Sequence, residues 1–137
     1  ATEKASEQSG TDLSVRYKTV KVDGLEIFYR EAGAADKPVI LLLHGFPTSS
    51  HMFRDLIPQL ASEYRVIAPD YPGFGNSAMP SVSEFTYTFD NLAKVVDGFT
   101  RAVGAEKFTM YVQDYGAPIG YRIASAQPQR VQGIIVQ

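Results

Sequence analysis

The chain has 137 residues, 45% hydrophobic and 20% charged, with a formal net charge of −2. That is long enough for one domain with a sizeable core, and the balance is ordinary for a soluble globular protein. A near-neutral charge without a basic cluster argues against nucleic acid or an anionic membrane as the main partner. The absence of cysteine rules out disulfides, thiolate metal sites and cysteine nucleophiles.

Ala1 stands where Met would start a chain, which reads as cleavage or trimming, and Ala1 to Ser14 has no apolar period and reads as a mobile arm. From Val15 the pattern is β. Val15 to Val22 and Leu25 to Arg30 flank Asp23-Gly24, a two-residue hairpin signal. Pro38 to Leu43 is a continuous apolar run suited to a strand covered on both faces, and it ends in His44-Gly45-Phe46-Pro47. Phe53, Leu56, Ile57 and Leu60 recur at helical spacing, with Ser49 or Ser50 as caps and Pro58 expected to kink or shorten the helix.

Arg65 to Ala68 is the next buried strand, and the loop Asp70-Tyr71-Pro72-Gly73-Phe74-Gly75-Asn76-Ser77 follows at Pro69. Ala78 to Tyr87 is irregular. Leu92, Val95, Val96, Phe99 and Val103 mark an amphipathic helix closed by Gly104. Phe108 to Val112 is a third buried strand, joined through Gln113-Asp114-Tyr115-Gly116 to a helical run from Ile119 that stops at Gln127-Pro128. Val131 to Val136 is a fourth.

A hairpin followed by alternating β and α units predicts an α/β fold with a mostly parallel sheet, here as a single core unit over 15–137. Its working surface lies at the carboxyl ends of the strands. Three loops meet that condition: His44–Pro47, Asp70–Ser77 and Gln113–Ala117. The chain ends on a bare apolar strand, which predicts that it is the first part of a larger fold.

Asp114 sits at a sharp strand-to-helix junction, where a carboxylate is either an anionic helix cap or a nucleophile. The ordered set His44-Gly45-Phe46-Pro47, Asp70 to Ser77 and Val112-Gln113-Asp114-Tyr115-Gly116 resembles the α/β-hydrolase fold, in the branch of epoxide hydrolases and haloalkane dehalogenases. The likeness runs from about Val15 to Gln137. In that family the elbow usually reads G-x-S-x-G. Here Asp114 takes the nucleophile position and Val112 replaces the first glycine, which disfavours a serine esterase or lipase.

A carboxylate needs no deprotonation to attack a saturated carbon, so the resemblance implies displacement at an epoxide or carbon–halogen bond and an alkyl ester on Asp114. A histidine-activated water then cleaves the ester, with the backbone N–H groups of Phe46 and Tyr115 as the implied oxyanion donors. A cap, an acid and the base are expected from a C-terminal segment, as a cleaved continuation or a separate chain. This chain alone is therefore expected not to complete turnover.

The expected substrate is a small apolar epoxide or organohalide, with no cofactor, metal, nucleic acid or membrane partner. Epoxide hydrolysis is favoured, because Phe46 has no polar side chain and Tyr115 no indole N–H with which to hold a halide. Val112-Gln113-Asp114 is nearer to haloalkane dehalogenases. A ligand-binding relative without catalysis is the third reading. His44 reads as a loop support, His51 as a surface or site-wall residue and Asp70 as a loop brace. Tyr71 and Phe74 read as packing aromatics. Gly73 to Ala78 also fits the dinucleotide pattern G-x-G-x-x-A, but Met79-Pro80 follows where that pattern needs a helix. The compartment is left open between cytoplasm and export.

Overall fold

The computed structural model describes residues 13–137, so the expected arm over 1–14 lies outside the described residues except for Leu13 and Ser14. Six strands form one sheet: β1 (Arg16–Val22), β2 (Leu25–Ala32), β3 (Val39–Leu43), β4 (Arg65–Pro69), β5 (Phe108–Val112) and β6 (Val131–Val136). Their spatial order is β1-β2-β4-β3-β5-β6. The β1–β2 and β2–β4 pairs are antiparallel, while β3–β4, β3–β5 and β5–β6 are parallel. The sheet is thus mixed with a parallel majority.

Asp23 (φ 50°) and Gly24 (φ 79°) adopt the left-handed turn that the hairpin signal requires. All five residues of β3 are buried, as its unbroken apolar run demands. Alternate residues of β3 point to opposite faces. Leu41 and Leu43 join Leu92, Val95, Phe99, Ile119 and Ile123 in one cluster, and Ile40 and Leu42 join Phe53, Ile57 and Ala61 in the other. Fully burying each such side chain contributes about 1.5–3 kcal/mol, so β3 is the keel of the molecule.

Helices α2 (Phe89–Ala102) and α3 (Gly116–Ala126) cover the first face. Thr88 caps α2 through the Asn91 N–H at 3.1 Å, and Gly104 (φ 76°) takes the chain out of it. The second face carries a 3₁₀ turn (Ser50–Phe53) and a short α1 (Leu56–Leu60), where one helix kinked or shortened by Pro58 was expected. The reason is Pro58. A helix running from Phe53 would drive its ring into the Arg54 carbonyl, whereas in the first turn of α1 its missing N–H has no partner to lose. Ser49 is the cap of the 3₁₀ turn, accepting from the His51 N–H at 3.2 Å. Other boundaries move as well: β1 starts at Arg16 and β3 at Val39, β2 runs on to Ala32 and β4 to Pro69, and α3 starts at Gly116 rather than Ile119. No described helix is long and apolar enough to cross a membrane.

Candidate active site

The parallel strands β3, β4 and β5 deliver the three loops singled out from the sequence to the same edge of the sheet. Asp114 leaves β5 in the left-handed region, at φ 55°. An L-residue with a Cβ enters that region at a cost, and Asp and Asn enter it more readily than most. The turn exposes the carboxylate above the sheet.

Close approach of three backbones fixes its position. A Cβ on Gly45 would lie 2.6 Å from Asp114 Cβ, and one on Gly116 would lie 2.3 Å from the Leu43 carbonyl oxygen. Only glycine lets the β3 loop pass beneath Asp114 and the start of α3 press against the end of β3. The Phe46 N–H then donates to Asp114 Oδ2 at 3.1 Å. The Phe46–Pro47 peptide is cis. Asp114 is not the cap of α3: the cap position falls to Tyr115, which makes no side-chain cap bond. The carboxylate faces the β3 loop instead of the helix behind it. Tyr115 opens α3, where backbone N–H groups lack intrahelical partners.

Behind this edge the β3 and β4 loops lock together. Asp70 is 1% exposed and accepts from the Ser50 N–H at 2.7 Å and the Asn76 N–H at 3.0 Å. Ser77 Oγ donates to the Asp70 carbonyl at 2.7 Å and accepts from the Phe28 N–H at 2.8 Å. His44 is wholly buried, stacked on Tyr71 with ring centroids 3.9 Å apart. Its Nδ1 lies 2.9 Å from the Gly45 carbonyl and its Nε2 accepts from the Tyr71 N–H at 3.4 Å, which selects the neutral Nδ1–H tautomer. Burial holds the His44 pKa below its ordinary value, against the Gly45 bond and the Asp70 charge. Burial, and then the Asp70 charge, pushes the Tyr71 phenol up, so it stays protonated and donates to the His44 carbonyl at 2.7 Å. His51 is exposed, with Nδ1 3.5 Å from an Arg30 nitrogen.

The Phe46 and Tyr115 rings stack at 5.3 Å, and Phe89, the first residue of α2, meets Tyr115 edge-on at 5.1 Å. Phe89 gave no signal in the sequence, because only the packing of α2 against α3 brings it to this edge. Gln113 Oε1 is buried without a hydrogen-bond partner among the described residues. The Gly73 to Ala78 stretch opens no helix, since the next one starts at Phe89. No described cluster of three or more His, Asp or Glu residues is placed to hold a metal.

The six-stranded mixed sheet, with a strand-to-helix turn after its fifth strand and helices on both faces, matches the N-terminal part of the alpha/beta hydrolase fold, whose family pattern matches residues 38–137. The chain belongs to that family. It is 47% identical over 128 residues to the uncharacterized hydrolase YNR064C of Saccharomyces cerevisiae, covering 93% of this chain and 43% of that protein. It is 34% identical over 122 residues to a haloalkane dehalogenase of Bradyrhizobium diazoefficiens, covering 89% of this chain and 38% of that enzyme. Among solved structures it is similar to haloalkane dehalogenase DbeA from Bradyrhizobium elkani, with a TM-score of 0.85 and 32% identity over 90% of this chain and 41% of that one. The chain thus spans about two fifths of the length of the proteins it matches.

Proposed function

We propose that this chain carries the nucleophile half of a hydrolase that acts at saturated carbon through a covalent ester on Asp114. The observation that carries the reading is the elbow itself: an exposed carboxylate at φ 55° with Oδ2 3.1 Å from the Phe46 N–H. An Asp114 oxygen attacks an epoxide carbon, the C–O bond of the ring breaks, and the freed oxygen takes a proton to become a hydroxyl. Water then adds to the carboxyl carbon of the ester, releasing a diol and restoring Asp114. The transient oxyanion is held by the Phe46 and Tyr115 N–H groups, each such donor being worth roughly 3–4 kcal/mol where one has been removed.

The water-activating base is assigned to polypeptide outside this chain. Its two histidines are engaged elsewhere, His44 with Gly45 and Tyr71 and His51 with Arg30. The cap and the triad acid are assigned to the same outside segment, in keeping with the greater length of the relatives.

Epoxide is the preferred substrate class, because the two side chains flanking the nucleophile, Phe46 and Tyr115, form a largely apolar stack. Dehalogenation is the second reading, favoured by the names of relatives 34–40% identical. In that case carbon–halogen cleavage replaces ring opening and the ester is unchanged. The experiment offers the protein, together with the segment that supplies its base, matched terminal epoxides and 1-bromoalkanes and follows diol and bromide. Diol formation that disappears in Asp114→Asn supports the epoxide reading, bromide release supports the second, and turnover that survives in Asp114→Asn refutes both.

A further inference from the structure

Beside Asp114 lies an open cavity of about 550 Å³ whose walls are aromatic from both sides of the site. Phe46 comes from the β3 loop, Phe74 from the β4 loop, Phe89 from α2 and Tyr115 from α3. Phe46 and Tyr115 present parallel faces, with an interplanar angle of 24°. Phe89 stands at 87° to Tyr115, and Phe74 at 86° to Phe46. A further ring entering this cavity therefore finds both electron-rich faces and electron-poor edges, the arrangement that aromatic pairs prefer. Phe46 is 57% exposed and Tyr115 is 37% exposed, so the faces are open to a ligand.

The charge at the rim settles which ligands fit. Arg122 lies over the Phe89 ring at 5.5 Å, and its Nε is paired with the Asp90 carboxylate at 2.6 Å. Among the described residues that line the cavity, the one cation, Arg122, is matched by the one anion, Asp90, so the lining offers no unpaired charge to recruit a carboxylate or phosphate.

We infer that this cavity is an aryl subsite, which seats the aromatic ring of a neutral substrate while its short arm reaches Asp114. This deepens the Asp114 reading, since Phe46 and Tyr115 border both the carboxylate and the cavity, but ring binding itself does not need the nucleophile. Aliphatic rings of the same size bury as much apolar surface yet gain no face or edge contact.

The test uses non-alkylating diols, 1-phenylethane-1,2-diol and 1-cyclohexylethane-1,2-diol, titrated by NMR against the protein and its Asp114→Asn variant. The phenyl diol is expected to bind about 5-fold tighter or more, the worth of roughly one aromatic pair. Its ring protons should show intermolecular contacts to Phe89 and Tyr115, and Asp114→Asn should keep the preference. Phe89→Leu should bring the two affinities together. Should Phe89→Leu fail to fold, the contacts to Phe89 in the unaltered protein decide the matter. Equal affinity, or contacts to other rings only, overturns the aryl subsite and marks the cavity as a general apolar surface. Retained phenyl preference, with no ester on Asp114 when the protein is separately incubated with the corresponding phenyl epoxide and weighed intact, would sink the nucleophile reading and leave the subsite standing.

Discussion

Gly45→Ala probes the geometry of the elbow without touching the carboxylate. The added Cβ would stand 2.6 Å from Asp114 Cβ, 3.2 Å from its Cγ and 3.1 Å from Oδ2. Carbon atoms pack best at about 3.5–4.0 Å, so the gap is short by almost 1 Å. The backbone of Gly45 is not in the left-handed region, so alanine meets a clash with Asp114 and no conformational penalty of its own. Relief must come from displacing Asp114, and a shift of that size stretches the 3.1 Å bond from Phe46 past the limit of a hydrogen bond. Overpacking costs about 1–3 kcal/mol of stability. A misplacement of about 1 Å at reacting atoms costs on the order of 100-fold in rate. Pre-steady-state ester formation with an epoxide, read by intact mass, should slow by about that factor while urea unfolding shifts modestly. A variant that forms the ester within 2-fold of the parent rate, with an unchanged unfolding midpoint, refutes the argument.

Asp114→Asn keeps a residue that tolerates φ 55° and an acceptor for the Phe46 N–H, so stability should change by less than about 1 kcal/mol while ester formation is lost. Asp114→Val, branched in the same conformation, should cost about 1–2 kcal/mol in urea unfolding. Stability should also fall as the solution is acidified below pH 6.5, where unfolded histidine gains a proton that buried His44, with its lowered pKa, resists. The His44 contribution is complete above pH 6.5 and is lost toward its folded pKa. Denaturation midpoints at several pH values, with His44→Asn as the flat control, check this. Glu31 adds a second acid-sensitive step: burial pulls its carboxyl up, but the hydrogen bond and charge of Arg65, together with Lys18, outweigh burial and hold it below 4.5. Its contribution is present above that value and is lost as pH falls further. Finally, Arg130 donates to Thr100, Ala105 and Glu106 at 2.8–3.0 Å and pairs with Asp97, so Arg130→Met should cost about 2–3 kcal/mol in the same unfolding assay.

Local pattern carried the strands well. The buried run of β3 and the Asp23-Gly24 turn each follow from a few adjacent residues, and the observed elements agree. The stretch from Ser50 to Leu60 read in part: Pro58 was expected to kink or shorten its helix and the helix is short, but the apolar spacing did not show that Ser50–Phe53 would form a separate 3₁₀ turn. The alternation of β and α units implied the parallel core, but not that β4 would lie between β2 and β3, which long-range pairing decides. At the site, the junction alone left Asp114 open between cap and nucleophile, and the resemblance carried by the flanking motifs favoured the nucleophile. What the structure adds is that the Asp114 side chain does not cap the helix: its φ of 55° and its bond from Phe46 turn it away, and neither is written in residue order. The aromatic cavity was invisible for the same reason: its rings come from four separate segments.

The measurement that bears most directly on Asp114 is isotopic. The protein, with the segment that supplies its base and in excess over epoxide, completes one turnover in water enriched in oxygen-18. The peptide containing Asp114 is then isolated and weighed. An ester intermediate cleaved at its carboxyl carbon predicts heavy oxygen in the Asp114 carboxylate and ordinary oxygen in the newly formed hydroxyl of the diol. Heavy oxygen in that hydroxyl, with an unlabelled Asp114, would mean that water attacked the substrate directly and that the carboxylate was never the nucleophile.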